Sequence, residues 1–195
     1  MMKSIHASPE VLDYVSSLEP SSHAVLFYDS KEVAAQIFAA YIDGGIERGE
    51  AIYFIGPSRE HYRNLLDLAG VRVTSLERGG QLKFISIQDF YLEMGHLSYT
   101  RVLQTIQLLL SDDGFKGARL ISLTDALLQN VSPQDLAHYE RKVGETFPFP
   151  ISAICSYDAQ KTIDQVGHDF LIDLLKMHGH NIFQGLAAPR IESQI

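Results

Sequence analysis

The chain is poor in the features that mark several large protein classes. Its 195 residues include one cysteine, Cys155, and no tryptophan, and 16 Lys+Arg stand against 24 Asp+Glu for a formal net charge of −8. One cysteine rules out an internal disulfide and any multi-cysteine zinc site. It also suits a reducing compartment, so a cytoplasmic location is expected. The basic residues are few and scattered, which leaves no electrostatic footprint for nucleic acid or an anionic membrane. No apolar run approaches the ~18 residues that would suggest a membrane span. The start, Met1-Met2-Lys3-Ser4-Ile5-His6, lacks the apolar core of a signal peptide. Low-complexity tracts and solenoid-type repeats are also missing.

What remains is an ordinary globular composition, 46% hydrophobic and 21% charged, in a length that fits one sizeable domain. Ser8-Pro9-Glu10 supplies an N-cap hydroxyl, a first-turn proline and a first-turn acid, predicting a short helix over 10–18 that ends at Glu19-Pro20. Short β-branched and aromatic runs then alternate with amphipathic stretches. Strands are predicted at 24–28, 51–55, 83–85, 119–123 and 151–157, with a last short one at 181–183. Helices are predicted from Val33 to the Gly49 turn, over 60–69, 99–110 and 133–144, and over 162–177 with an interruption at Gly167. This alternation implies right-handed crossovers and a mainly parallel sheet covered on both faces, a three-layer α/β fold.

The enzyme motifs best suited to such a fold are absent. No phosphate-binding G-x-x-x-x-G-K-[ST] or G-x-G-x-x-G follows the first strand, and Lys31 has no flanking glycines. Neither H-E-x-x-H nor a G-x-S-x-G elbow occurs. No cofactor and no metal centre are therefore expected.

Ligands of open α/β sheets bind beyond the carboxyl ends of the strands, so the residues there form the candidate rim. It collects Tyr28, Phe90, Tyr91 and Tyr157 among Asp29, Asp89, Asp125 and Asp158, a mixture suited to a small organic or cationic guest. Each Asp taken alone reads equally as a helix cap or turn former. Cys155 sits in the apolar run 151–155 and reads as a small buried hydrophobe, or else as a pocket residue one step below the rim. His178 and His180 flank Gly179 at a helix end, where they complement the dipole or offer two metal ligands. Tyr139-Glu140 reads as a core aromatic beside a solvated acid.

Taken in order, His23 with Phe27-Tyr28, the 45–50 stretch Gly-Ile-Glu-Arg-Gly-Glu, Phe90-Tyr91, Tyr139-Glu140, Cys155-Ser156-Tyr157-Asp158 and His178 resemble the MEDS domain, the methanogen/methylotroph DcmR-type sensory domain. The resemblance spans 23–185, leaving 1–22 as an N-terminal helical extension and 186–195 as a tail. It implies a divergent RecA/KaiC-like fold without a phosphate-binding loop, and a role in sensing hydrocarbon derivatives and related small organic compounds. The residues carried over as ligand-binding are His23, Phe27, Tyr28, Tyr91, Tyr139, Glu140, Cys155, Tyr157, Asp158 and His178. One departure concerns the ligand: Thr124-Asp125-Ala126-Leu127 stands where the family often has a tryptophan.

The leading expectation is a stand-alone, non-catalytic sensor whose 86–98 loop responds to the guest and which signals to a separate regulatory protein. Alternatives are a protein-interaction module on a degenerate ATPase fold, and an enzyme with Cys155 as nucleophile and His23 or His178 as base. Self-association is open, because relatives of this fold commonly oligomerise.

Overall fold

Six short runs of β-branched, aromatic and other apolar residues become the strands of one sheet, and the stretches of helical spacing between them cover it. The computed structural model describes residues 6–111 and 114–184; the tail expected over 186–195, Gly185 and residues 1–5 lie outside the described residues. In chain order the elements are α1 (Pro9–Ser16), β1 (His23–Tyr28), α2 (Lys31–Arg48), β2 (Ala51–Gly56), α3 (Arg59–Leu68), α4 (Val73–Arg78) and β3 (Leu82–Ser86). There follow α5 (Ile87–Tyr91), β4 (Leu92–Glu93), β5 (His96–Leu97), α6 (Tyr99–Leu110) and β6 (Ala118–Leu123). After a 3-10 segment over Thr124–Gln129 come α7 (Pro133–Val143), β7 (Ile151–Asp158), α8 (Ala159–Val166), α9 (His168–Met177) and β8 (His180–Gln184).

The main sheet has the order β3-β2-β6-β7-β1-β8. Every pairing in it is parallel, with His23 opposite Ala153, Val25 opposite Cys155 and Tyr28 opposite Asp158. Both faces are covered, which is why the strands read as unbroken apolar runs rather than as alternating ones. Ala24, Leu26, Tyr28, Ile52, Phe54, Ile121 and Ile154 pack beneath α1 to α4. Val25, Phe27, Tyr53, Leu120, Cys155 and Tyr157 pack beneath α5 to α9.

Helix boundaries follow local chemistry. The Ser8, Ser30, Ser98 and Ser132 side chains accept from backbone N–H groups at the starts of α1, α2, α6 and α7, and Gly49 ends α2 in the left-handed region at φ 72°. The N-terminal segment is built into the molecule through Arg119, which is wholly buried. Its guanidinium donates to Glu50 (2.7 Å), to the carbonyls of Val15, Ser16 and Leu18 at the end of α1, and to that of Tyr41. It also lies over the Tyr41 ring at 4.6 Å.

Two segments differ from the sequence expectation. Helix α4 occupies a stretch for which no element was expected. The expected 86–98 loop is α5 followed by a two-stranded hairpin, with Met94 (φ 51°) and Gly95 (φ 82°) forming its two-residue turn.

Candidate functional site

The parallel sheet brings the strand ends to one rim, but few of the rim side chains are available to a ligand. Tyr28, Phe90, Tyr91 and Tyr157 are all buried beneath it. Asp89 and Ser86 cap α5 reciprocally. Asp158 caps α8 by accepting from the Lys161 amide at 3.0 Å. Asp125 pairs with the Lys161 ammonium at 3.0 Å. Asp29 is exposed. For Asp89 and Asp158 the capping reading is the one observed. Between β1 and α2 only Asp29 and Ser30 intervene, so there is no loop there to wrap a phosphate.

A different site lies one layer deeper, on the face beneath α5 to α9. A cavity of about 20 Å³ is lined by His23, Phe90, Tyr91, Val102, Ile106, Leu120, Ser122, Tyr139, Glu140, Val143, Phe147, Ala153 and Cys155. That is room for a guest no larger than one water. Strands β1 and β7 present His23 and Cys155 to the same face two registers apart, and α7 lays Tyr139 and Glu140 over them. The residue after α9, His178, completes the group: its ring lies 4.0 Å from that of His23.

Of the ten residues proposed from sequence, His23, Tyr91, Tyr139, Glu140 and Cys155 line this cavity, and Tyr157 and His178 adjoin it through Glu140. Phe27 stacks on Tyr157 and Phe183 in the neighbouring core. Tyr28 points to the opposite face, and Asp158 stays at the rim. Sequence reasoning passed over Ser122, Phe147 and the carbonyl of Gly144. They come from a strand interior and from a loop, and no local motif marks them.

The hydrogen bonding is asymmetric. The carbonyl of Gly144 lies 2.7 Å from His23 Nδ1, and that of Leu174 lies 2.8 Å from His178 Nδ1. A carbonyl can only accept, so both rings carry their proton on Nδ1 and turn a bare Nε2 inward. His23 Nε2 lies 3.4 Å from Cys155 Sγ. Tyr157 donates to Glu140 Oε1 at 3.3 Å, and Tyr91 donates to Ser122 Oγ at 2.8 Å. Glu140 Oε2 and His178 Nε2 are buried without a hydrogen-bond partner.

Burial dominates the titration of the whole group. The Glu140 carboxyl is pushed up to about 8 and the His178 imidazole down to about 4. His23 is held well below the usual histidine range, first by burial and then by His178. Burial, reinforced by Glu140, raises the Cys155 thiol. The contacts of Glu140 Oε2 with His23 (3.6 Å) and His178 (3.7 Å) are therefore meetings of neutral groups at neutral pH rather than ion pairs. The expectation that Glu140 is a solvated acid is thus corrected: its side chain is fully enclosed.

A wider cleft of about 250 Å³ opens outside, between the β4–β5 hairpin and α7, lined by His96, Leu97, Tyr99, Asp135, His138 and Tyr139 among others. Tyr139 belongs to both spaces and forms the partition between them, its ring 5.8 Å from that of Tyr91 and 6.2 Å from that of Tyr99.

Among solved structures, a KaiC-like protein of the hyperthermophilic archaeon Pyrococcus horikoshii matches with a TM-score of 0.51 at 13% identity, over 72% of this chain. The chain spans 62% of the length of that protein. A second Pyrococcus horikoshii protein, from a structural study whose title gives no activity, matches with a TM-score of 0.59 at 10% identity, over 86% of this chain and 84% of its own. At these identities the likeness speaks for the fold alone, and that fold is RecA/KaiC-like. No curated protein matches the sequence. The family model for MEDS, the methanogen/methylotroph, DcmR sensory domain, matches residues 22–179, and the chain belongs to that sensory-domain family.

Proposed function

We propose that this domain senses a small, largely apolar organic molecule carrying one polar group, bound in the cavity under Tyr91 and Tyr139, without turning it over. One observation carries this reading. The cavity is walled by aromatic and aliphatic side chains except along one side, where His23, Glu140, Cys155 and Ser122 offer polar atoms. The aromatics supply contact area, and the polar side fixes the orientation of a hydroxyl, amine or thiol.

The cavity at about 20 Å³ is smaller than such a guest, so occupancy requires its walls to move. Tyr139 and the α5–hairpin segment are the parts placed to do so, since they separate the cavity from the outer cleft. A guest that favours the displaced arrangement shifts the population toward it, and that difference is the signal. A separate regulatory protein reads the displaced face. The two-residue β1–α2 connection and the lack of a glycine-rich loop favour this reading over nucleotide binding. Burial of the Cys155 thiol, raised away from its reactive anion, favours it over nucleophilic catalysis.

The test is a thermal-shift panel of short-chain alcohols, amines, thiols and halogenated hydrocarbons, with magnesium-ATP beside it. One organic class is expected to stabilise saturably. At a hundredfold excess over Kd this amounts to about 2.7 kcal/mol, a shift of several degrees. Ala153→Leu, which fills the cavity, is expected to remove the shift while the chain remains folded. Stabilisation by magnesium-ATP and by no organic compound would overturn the reading.

A further inference from the structure

The polar side of the cavity is more than a hydrogen-bonding surface. His23, Glu140, Cys155 and His178 are all buried, and one potential ligand atom from each lies within 4.8 Å of every other. Three of the separations are 3.4 Å (His23 to Cys155), 3.6 Å (His23 to Glu140) and 3.7 Å (His178 to Glu140). A tetrahedral zinc ion, with bonds of about 2.0 Å to nitrogen and oxygen and about 2.3 Å to sulfur, sets its ligand atoms roughly 3.3–3.6 Å apart. We propose that these four side chains form a binding site for one divalent transition-metal ion of the zinc type.

Three features support the site independently of the distances. Both histidines bond a backbone carbonyl through Nδ1, the arrangement that orients a metal-binding imidazole and leaves Nε2 as the donor. Glu140 Oε2 and His178 Nε2 are buried with no hydrogen-bond partner, although the other oxygen of Glu140 is held by Tyr157. Folded proteins rarely leave such atoms unpaired, and a cation satisfies both at once. The charges also balance, because a thiolate and a carboxylate neutralise a divalent ion between two neutral imidazoles. On loading, the thiol and carboxyl protons leave to solvent as the Sγ–metal and O–metal bonds form. One sulfur, two nitrogens and one oxygen select a borderline-soft ion over magnesium or calcium.

This inference does not rest on the sensory reading, since the ion would sit against the cavity whatever the cavity accepts. It also departs from the sequence expectation of no metal centre, because ligands at 23, 140, 155 and 178 have no short spacing to betray them.

Chelator-stripped protein titrated with cobalt(II) tests the proposal. The expected result is one equivalent bound per chain, with the visible bands of a tetrahedral ion and a near-ultraviolet thiolate-to-cobalt charge-transfer band, both bleached by zinc. Cys155→Ser is expected to abolish the charge-transfer band, and His178→Asn to weaken binding at least tenfold. Asp29→Asn, at an exposed position away from the cluster, should change neither. X-ray absorption on zinc-loaded wild-type protein, expected to give one sulfur and three nitrogen or oxygen neighbours, decides the matter if a variant fails to fold. Folded wild-type protein that takes up no stoichiometric ion, a charge-transfer band that survives in Cys155→Ser, or a zinc shell without sulfur would each overturn it.

Discussion

At the scale of single residues, the two most enclosed charged side chains play different parts. Arg119 is at 0% exposure and donates through all three nitrogens, to the Glu50 carboxylate and to four carbonyls, so its charge is compensated where it lies. Removing the guanidinium leaves Glu50 buried and unpaired, and Arg119→Ala is expected to cost about 3–5 kcal/mol in urea unfolding followed by circular dichroism. The double variant Arg119→Met with Glu50→Leu should recover much of that loss, because an apolar pair leaves no stranded charge. Glu140, equally buried, has no cation beside it in the protein itself, and its carboxyl is pushed up to about 8. A structural acid is normally compensated as Glu50 is. The lack of compensation at Glu140, among two bare imidazole nitrogens and a thiol, marks a place meant for something the chain does not supply.

At the scale of elements, the approach of α1 to α2 is the tightest junction in the helical layers. A Cβ placed on Gly44 would meet the Ser16 carbonyl oxygen at 2.1 Å. Alanine is the better helix former by about 1 kcal/mol, so propensity alone predicts that Gly44→Ala stabilises α2. The steric conflict reverses the sign. The expected result is a net loss of about 1–3 kcal/mol, read from the urea midpoint at unchanged slope. The elements also show where local chemistry speaks and where it does not. Helices α6 and α7 begin where Ser98 and Ser132-Pro133 announce them. The β4–β5 hairpin gives no such notice, because Met94 takes a left-handed position usually held by Asn, Asp or Gly. Helix α5 is five residues long and α4 is six, each too short to display a period.

At the scale of the whole molecule, the sheet is shared by both cores, with neighbouring residues of each strand feeding opposite faces. Neither helical layer can be stripped without exposing the sheet that the other needs. Far-ultraviolet circular dichroism and tyrosine fluorescence should therefore report one coincident unfolding transition in urea, and separated midpoints would show layers that unfold independently. Among the described residues no helix is long and apolar enough to cross a membrane. The sequence by itself determined the α/β class, the six strands, most helices and the absence of a phosphate loop, because caps, turns and hydrophobic period are local properties. It also singled out His23, Tyr139, Glu140, Cys155 and His178 through their family pattern, yet placed the ligand at the strand rim. Only the tertiary structure decided that Tyr28 and Asp158 lie apart from the others, that Glu140 is enclosed, and that four ligating atoms from β1, α7, β7 and the end of α9 converge. The reason is physical: strand order and register set which distant residues share a face. That order, with β1 inserted between β7 and β8, is fixed by how the crossovers pack rather than by any local signal.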